Sequence, residues 1–363
     1  PLGLFKNLKE MQCVTSKGVT LTYGNEGYLA KDPTDVLRIL KEKGAAILPG
    51  VLNPEECESM NLGMWETLEH LTSGLEKPVK RDDPESYAGV FKLVPNHGGL
   101  IQHHKWGFAQ YAMDVRQNPK VAQVYRLLYG EDLLVSLDGV NCSLGAVIPG
   151  KKPRGAFQGR TWLHTDQSPL DNDFKCVQSL ITANKIGVGD ATFRFLSGSH
   201  NQHQAVAKQF NLKEKADWFK YEDSHLEWMK EQGCVDTCFT CGPGDQIFWD
   251  SRLAHSGMEY IVDADCPARS EPRPYRNVVY VCFQKKQKTT LKKRVRIFDP
   301  VDDWYMRSAS HWPNKMKLFG RYPRTYGQPN HLGETDSKKY WDFVPDMPHP
   351  ELTEYGKKIM IGI

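Results

Sequence analysis

The sequence predicts a mainly β fold, in which short antiparallel strands roll into a barrel or jelly roll with helices on its flanks. Three features predict it. From Leu133 onward, apolar runs of strand length alternate with clusters of Gly, Pro, Asn and Asp, the spacing of short strands and tight turns. One run, 275–283 (YRNVVYVCF), is dominated by β-branched and aromatic residues and is the clearest strand of all. Helical periodicity is confined to the first third and to one charged stretch near 202–232.

The helices come first. Asp32-Pro33-Thr34-Asp35 caps a short helix with Val36, Leu37, Ile39 and Leu40 as its apolar stripe, ending near Gly44. Residues 45–52 read as a strand closed by a turn. Asn53-Pro54-Glu55-Glu56 opens a second helix with a capping box, continued by Met60, Met64, Trp65, Leu68 and Leu71 at core spacing. Residues 73–99 turn to charge, Pro and Gly and are expected to form a long surface loop. A third helix over 109–129 stops at Gly130. Strands are expected at 133–143, around His164, at 176–183, 191–196, 246–250 and 275–283, and no internal repeat is visible.

The chain has 363 residues, 40% apolar and 25% charged, an ordinary globular composition. We expect one domain over 1–363. Within it lie an N-terminal support (32–130), a strand core (131–283) with a helical insert at about 201–233, and a wrapping tail (284–363). No apolar run reaches the roughly 18 residues of a membrane span, and no basic-then-apolar signal opens the chain; a targeting segment ahead of Pro1 stays open. Nine scattered cysteines argue for thiols in a cytoplasmic or other reducing compartment. Cys234, Cys238 and Cys241 with His225 are too irregular for zinc, and Cys241-Gly242-Pro243-Gly244-Asp245 reads better as a turn. The net charge of +3 excludes little. Lys285, Lys286, Lys288, Lys292, Lys293, Arg294 and Arg296 do crowd together, ordinarily a solvated face and otherwise a surface for an anionic substrate or nucleic acid.

One stretch carries chemistry. On an extended strand, alternation puts His164 and Asp166 of Trp162-Leu163-His164-Thr165-Asp166 on one face. His255 is the best candidate for a third ligand. Two imidazoles and a carboxylate on one face of an octahedral ion leave the other face open, as in non-haem Fe(II) oxygenases; alone, His-x-Asp is commonly a polar edge. Neighbouring His103 and His104 diverge in any regular element, so at most one could join a site. Asp138 and Asn141, among apolar neighbours, must find partners or line a cavity.

Taken in order, these pieces resemble the phytanoyl-CoA dioxygenase-like branch of the Fe(II)- and 2-oxoglutarate-dependent oxygenases over 36–283. The likeness rests on the opening strand and helix from Gly44 to Glu56, on Trp162 to Asp166, on the strand and Gly-Ser-His turn from Gly189 to His200, and on Gly244 to Trp249 leading to His255. The resemblance implies a double-stranded β-helix of cupin type, with His164, Asp166 and His255 holding Fe(II). It implies 2-oxoglutarate and O2 as cosubstrates and ascorbate as an accessory reductant. An arginine opening the last core strand would take the C5 carboxylate of 2-oxoglutarate, because the guanidinium fork matches a carboxylate. Arg276 is our choice, with Arg269 and Arg273 as runners-up because a proline-rich loop intervenes. Gly257 departs from the family's hydroxyl residue, so Thr192, Asn141 or Gln178 would supply that hydrogen bond.

The implied reaction releases succinate and CO2 and oxidises an unactivated C–H bond, by hydroxylation, cyclisation or desaturation. Asp166 fills the position a halogenase leaves vacant. Candidate substrate contacts are Arg194, Trp249, Trp162, Phe108, Gln102, His103 and Asp138, a polar and aromatic set suited to a small polar or anionic molecule. No coenzyme A motif is visible. Segments around 102–139 and 164–168 are similar to algal or protist members of the branch, among which cyclases making kainoid-type amino acids are one comparison. Two rivals stand beside this reading: an oxygenase acting on nucleic-acid bases through the basic run, and a non-catalytic barrel-fold binding protein. Oligomeric state is not legible.

Overall fold

Two sheets of short strands stand face to face, with helices packed around them. The computed structural model describes residues 11–15, 18–94, 99–149, 156–159, 161–262, 274–324, 328–329, 333–335 and 339–363. In chain order the elements are β1 (Met11–Val14), β2 (Thr20–Gly24), α1 (Pro33–Lys43), β3 (Ala45–Leu48), α2 (Pro54–Leu71), β4 (Leu100–Ile101), α3 (Gln110–Gln117), α4 (Gln123–Tyr129), β5 (Leu133–Val135), β6 (Val140–Ser143) and β7 (His164–Thr165). There follow β8 (Val177–Thr182), β9 (Thr192–Ser197), α5 (Ser199–Gln209), β10 (Phe219–Lys220), α6 (Asp223–Glu231), β11 (Val235–Phe239), β12 (Gln246–Asp250), β13 (His255–Met258), β14 (Arg276–Lys285), α7 (Leu291–Phe298) and α8 (Glu354–Met360).

The first sheet runs β1-β2-β11-β9-β13-β7-β10 and the second β3-β12-β8-β14-β6-β4, with β5 also paired to β14. The pairings are antiparallel except β11 with β2. This is the mainly β, jelly-roll architecture expected from the strand spacing. The two sheets meet where Phe193 of β9 packs on Trp249 of β12, ring centroids 4.7 Å apart. All six residues of β8 are buried, so the strand reads as a continuous run rather than an alternation.

Local chemistry sets the helix ends. The Asp32 carboxylate accepts the Thr34 and Asp35 N–H groups at 2.8 and 2.9 Å, opening α1. Asn53 and Glu56 cap α2 reciprocally, each bond 2.8 Å.

Several expectations are corrected. The helix foreseen over 109–129 breaks at Asn118-Pro119, because proline removes a donor and forces its predecessor out of helical backbone. The loop foreseen over 73–99 holds a 3-10 helix, Pro84–Leu93, which buries Tyr87, Val90 and Leu93. The insert is not wholly helical, since β10 within it pairs with β7. The polar N-terminal stretch joins the first sheet as β1 and β2.

Cys13 is disulfide-bonded, against the expectation of thiols throughout. Seven other cysteines are buried thiols. Cys234, Cys238 and Cys241 gather no metal-binding set among the described residues, and His225 instead accepts the Glu222 N–H at the start of α6. The basic run is partly internal. Arg294 is fully buried and donates to the carbonyls of Met360, Val135 and Pro313, while Arg296 pairs with Asp302.

Candidate functional site

His164 and His255 are cross-strand partners on β7 and β13, so their rings meet, centroids 4.6 Å apart. Strand β7 is only two residues long, and Asp166 stands in the bend just beyond it. The carboxylate still converges: Oδ1 lies 3.6 Å from His164 Nε2 and Oδ2 lies 3.4 Å from His255 Nε2. One ligand atom from each of the three lies within 4.8 Å of the others, the one such set among the described residues.

The tautomers follow from the hydrogen bonds. His164 Nδ1–H donates to the Trp162 carbonyl at 3.1 Å and His255 Nδ1–H to the Leu253 carbonyl at 2.9 Å. In the neutral rings each Nε2 therefore turns a lone pair toward the Asp166 carboxylate. Facing acceptors of this kind repel one another until a cation sits among them, so the donor set fits a divalent metal. Burial opposes ionisation of Asp166, and it is protonated imidazole at His311, His164 or His255 that would hold its carboxyl below the usual range. Trp162 stacks on His164 at 4.8 Å and 14°, and Phe193 and Trp249 brace His255.

The triad opens onto a cavity of about 570 Å³ between the sheets. Arg276 lines it, nearly fully buried, with Nε and Nη2 lacking hydrogen-bond partners among the described residues. Such donors are costly to bury unless something binds them, which fits a carboxylate ligand. Gln178 lines the same wall with Nε2 unpartnered among the described residues, and Tyr280 lines it beside Arg276, whereas Asn141, buried on β6, is outside the cavity lining. Gln102, Asp138, Trp162 and Trp249 also line the cavity. The indole N–H of Trp249 is buried without a partner among the described residues.

Other candidates lie elsewhere. Thr192 and Arg194 flank Phe193 on β9, and alternation turns both away when Phe193 faces in. The Thr192 hydroxyl donates to the Phe239 carbonyl at 2.6 Å, and Arg194 forms a two-pronged pair with Asp236. Phe108 is core, fully buried against Phe298. His103 hydrogen-bonds the Gly320 carbonyl outside the cavity lining, and His104 is buried on the Leu93 carbonyl, its pKa pushed down to about 3 by burial. Arg269 and Arg273 lie outside the described residues.

One wall was not foreseen. Residues 308–319 of the tail form a hairpin, bridged at Ala309 and Leu318, and bring His311, Trp312, Met316 and Phe319 to the cavity. Trp218, 51% exposed, overhangs His164 from the segment before β10. No periodicity marks either segment; clustered aromatics were the one available signal.

No protein-family model matches the chain. In sequence it is 24% identical over 260 residues, 69% of this chain and 77% of the other, to Ava biosynthesis cluster protein O of Aspergillus versicolor. Its fold is similar to that of a putative oxidoreductase from Salmonella typhimurium LT2 (TM-score 0.53, 12% identity, 90% of this chain and 82% of that one). It is also similar to a hypothetical protein from Escherichia coli (TM-score 0.54, 12% identity, 92% and 84%). A looser superposition is with SnoK, a non-heme alpha-ketoglutarate-dependent carbocyclase from nogalamycin biosynthesis (TM-score 0.43, 13% identity, 79% and 94%).

Proposed function

We propose that this chain is an Fe(II)- and 2-oxoglutarate-dependent oxygenase that oxidises an unactivated C–H bond of a small polar metabolite, by hydroxylation or oxidative cyclisation. One observation carries it. A set of two imidazole lone pairs and a carboxylate shares a single cavity with a buried guanidinium whose Nε and Nη2 lack partners among the described residues. When bound, ferrous ion with 2-oxoglutarate and O2 supplies the hydrogen-abstracting chemistry, with succinate and CO2 as coproducts.

The residues divide the remaining work. His164 and His255 through Nε2, with Asp166, would hold the metal, and the carbonyls of Trp162 and Leu253 lock both rings in the binding tautomer. Arg276 would take the distal carboxylate of 2-oxoglutarate, with the Gln178 amide as a further donor on the same wall. Trp162, Phe193 and Trp249 exclude water around the triad, and Gln102 and Asp138 offer polar contacts for substrate. The likeness to a biosynthesis cluster protein supports a substrate from natural-product metabolism, with an amino-acid-derived precursor of kainoid type as one case.

The test is an anaerobic titration with Fe(II) and 2-oxoglutarate, read by the metal-to-ligand charge-transfer band and followed by a metabolite screen scored by succinate release. His164→Ala and Asp166→Ala should abolish the band. Arg276→Ala should keep the metal but weaken 2-oxoglutarate about 10- to 100-fold, the scale of a charge-assisted pair. A wild-type protein that forms no band would sink the proposal.

A further inference from the structure

Resting on that reading, we infer that His311 is a positioning residue of the metal site: its imidazole holds the Oδ2 side of Asp166, making the seating of hairpin 308–319 a condition of tight metal binding. The argument starts from what surrounds the carboxylate. Three imidazoles approach it, with His311 Nδ1 3.9 Å from Oδ2. Those of His164 and His255 have spent their N–H groups on backbone carbonyls and present lone pairs. His311 is therefore the imidazole that can offer Asp166 a hydrogen, and a small side-chain adjustment brings Nδ1–H within bonding range. It does not belong to the triad whose ligand atoms gather within 4.8 Å, so it acts on the ligand and not on the ion.

The hairpin is built to hold the ring in place. His311 leans on Trp312 at 4.5 Å, and Trp312 packs on Cys176 and Cys282 beneath the second sheet. Ala309 N–H donates to the Leu137 carbonyl at 2.7 Å, Asn314 to the Lys285 carbonyl at 2.9 Å, and Lys315 pairs with Asp217. Partners that orient metal ligands in this way typically change metal affinity 10- to 100-fold when removed.

The experiment titrates apoprotein with Co(II), read by its visible d–d band and by tryptophan fluorescence, in wild type, His311→Phe and His311→Asn. Asparagine can present an amide N–H near the position of Nδ1. We expect His311→Phe to weaken Co(II) 10- to 100-fold and shift the band, and His311→Asn to recover most of both, with circular dichroism of the three apoproteins alike. Wild-type affinity and band in His311→Phe would overturn this inference alone. Equal losses in both variants would also overturn it, reducing His311 to hairpin packing. No Co(II) binding by wild type would overturn the metal reading and this inference with it.

Discussion

Asp138 shows what a single buried carboxylate can do. It lines the cavity at 9% exposure, and burial pushes its pKa up to about 6, against the Gly139 N–H and the nearby charge of Arg116. Arg116 does not neutralise it by direct contact, because that guanidinium is spent on the carbonyls of Gly107, Asp138 and Gly139. Unfolded, the group titrates near 3.8, so folding raises its pKa. Its contribution to stability is then fully present below about pH 4 and lost as pH rises through about 6, on the order of 3 kcal/mol. Asp138→Asn keeps an acceptor for the Gly139 N–H and removes the charge. Urea unfolding at pH 4.5 and pH 7 should therefore show a smaller stability loss in the variant, the remainder coming from Asp245, whose pKa burial also raises to about 6. Identical pH dependence in the two proteins would clear Asp138.

At the scale of elements, the close packing of helix ends on the strands bears on the site. Gly44 ends α1 with φ 82° and leads directly into β3. A Cβ there would lie 2.5 Å from His200 Nδ1 and 2.6 Å from Leu253 Cδ1, and Leu253 carries the carbonyl that orients His255. Gly44→Ala combines a left-handed backbone with two clashes, so it should cost about 2 kcal/mol or more and lower the thermal midpoint by several degrees. A midpoint within a degree of wild type would remove the steric argument. Element type was legible wherever a mechanism marked it: the caps at Asp32 and Asn53, the apolar run of β8, the turn before β12. It failed where long-range contacts decided. The segment after Ser73 is polar enough to read as loop, yet its few apolar residues find a core to cover. The two residues of β7 are a strand only because β13 and β10 lie on either side.

For the whole molecule, ligand linkage gives a direct test of the assembled site. A ligand that binds the folded state alone stabilises it by about 2.7 kcal/mol at a hundredfold excess over its dissociation constant. Mn(II) with 2-oxoglutarate should raise the thermal midpoint of wild type by several degrees, that of Arg276→Ala by less, and that of His164→Ala not at all. An equal rise in all three would mean the cation and the acid bind elsewhere. In the basic run Arg294 is buried on backbone carbonyls, whereas Arg296 pairs with Asp302 at the surface and Lys285, Lys288, Lys292 and Lys293 are exposed. The salt dependence of DNA or RNA binding tests the nucleic-acid rival, a steep slope favouring it.

Residue type and order along the chain determined the strand-rich architecture and the three candidate ligands, since turn chemistry, alternation and a His-x-Asp pair are local and survive without knowledge of what packs against them. Tertiary structure alone decided which neighbours of those ligands count. Whether Phe193 or its flanking Thr192 and Arg194 faces inward depends on which side of β9 is covered, and one residue of offset exchanges them. His311 reaches Asp166 only because a distant hairpin is pinned against the carbonyls of Leu137 and Lys285, contacts that no periodicity in the tail encodes.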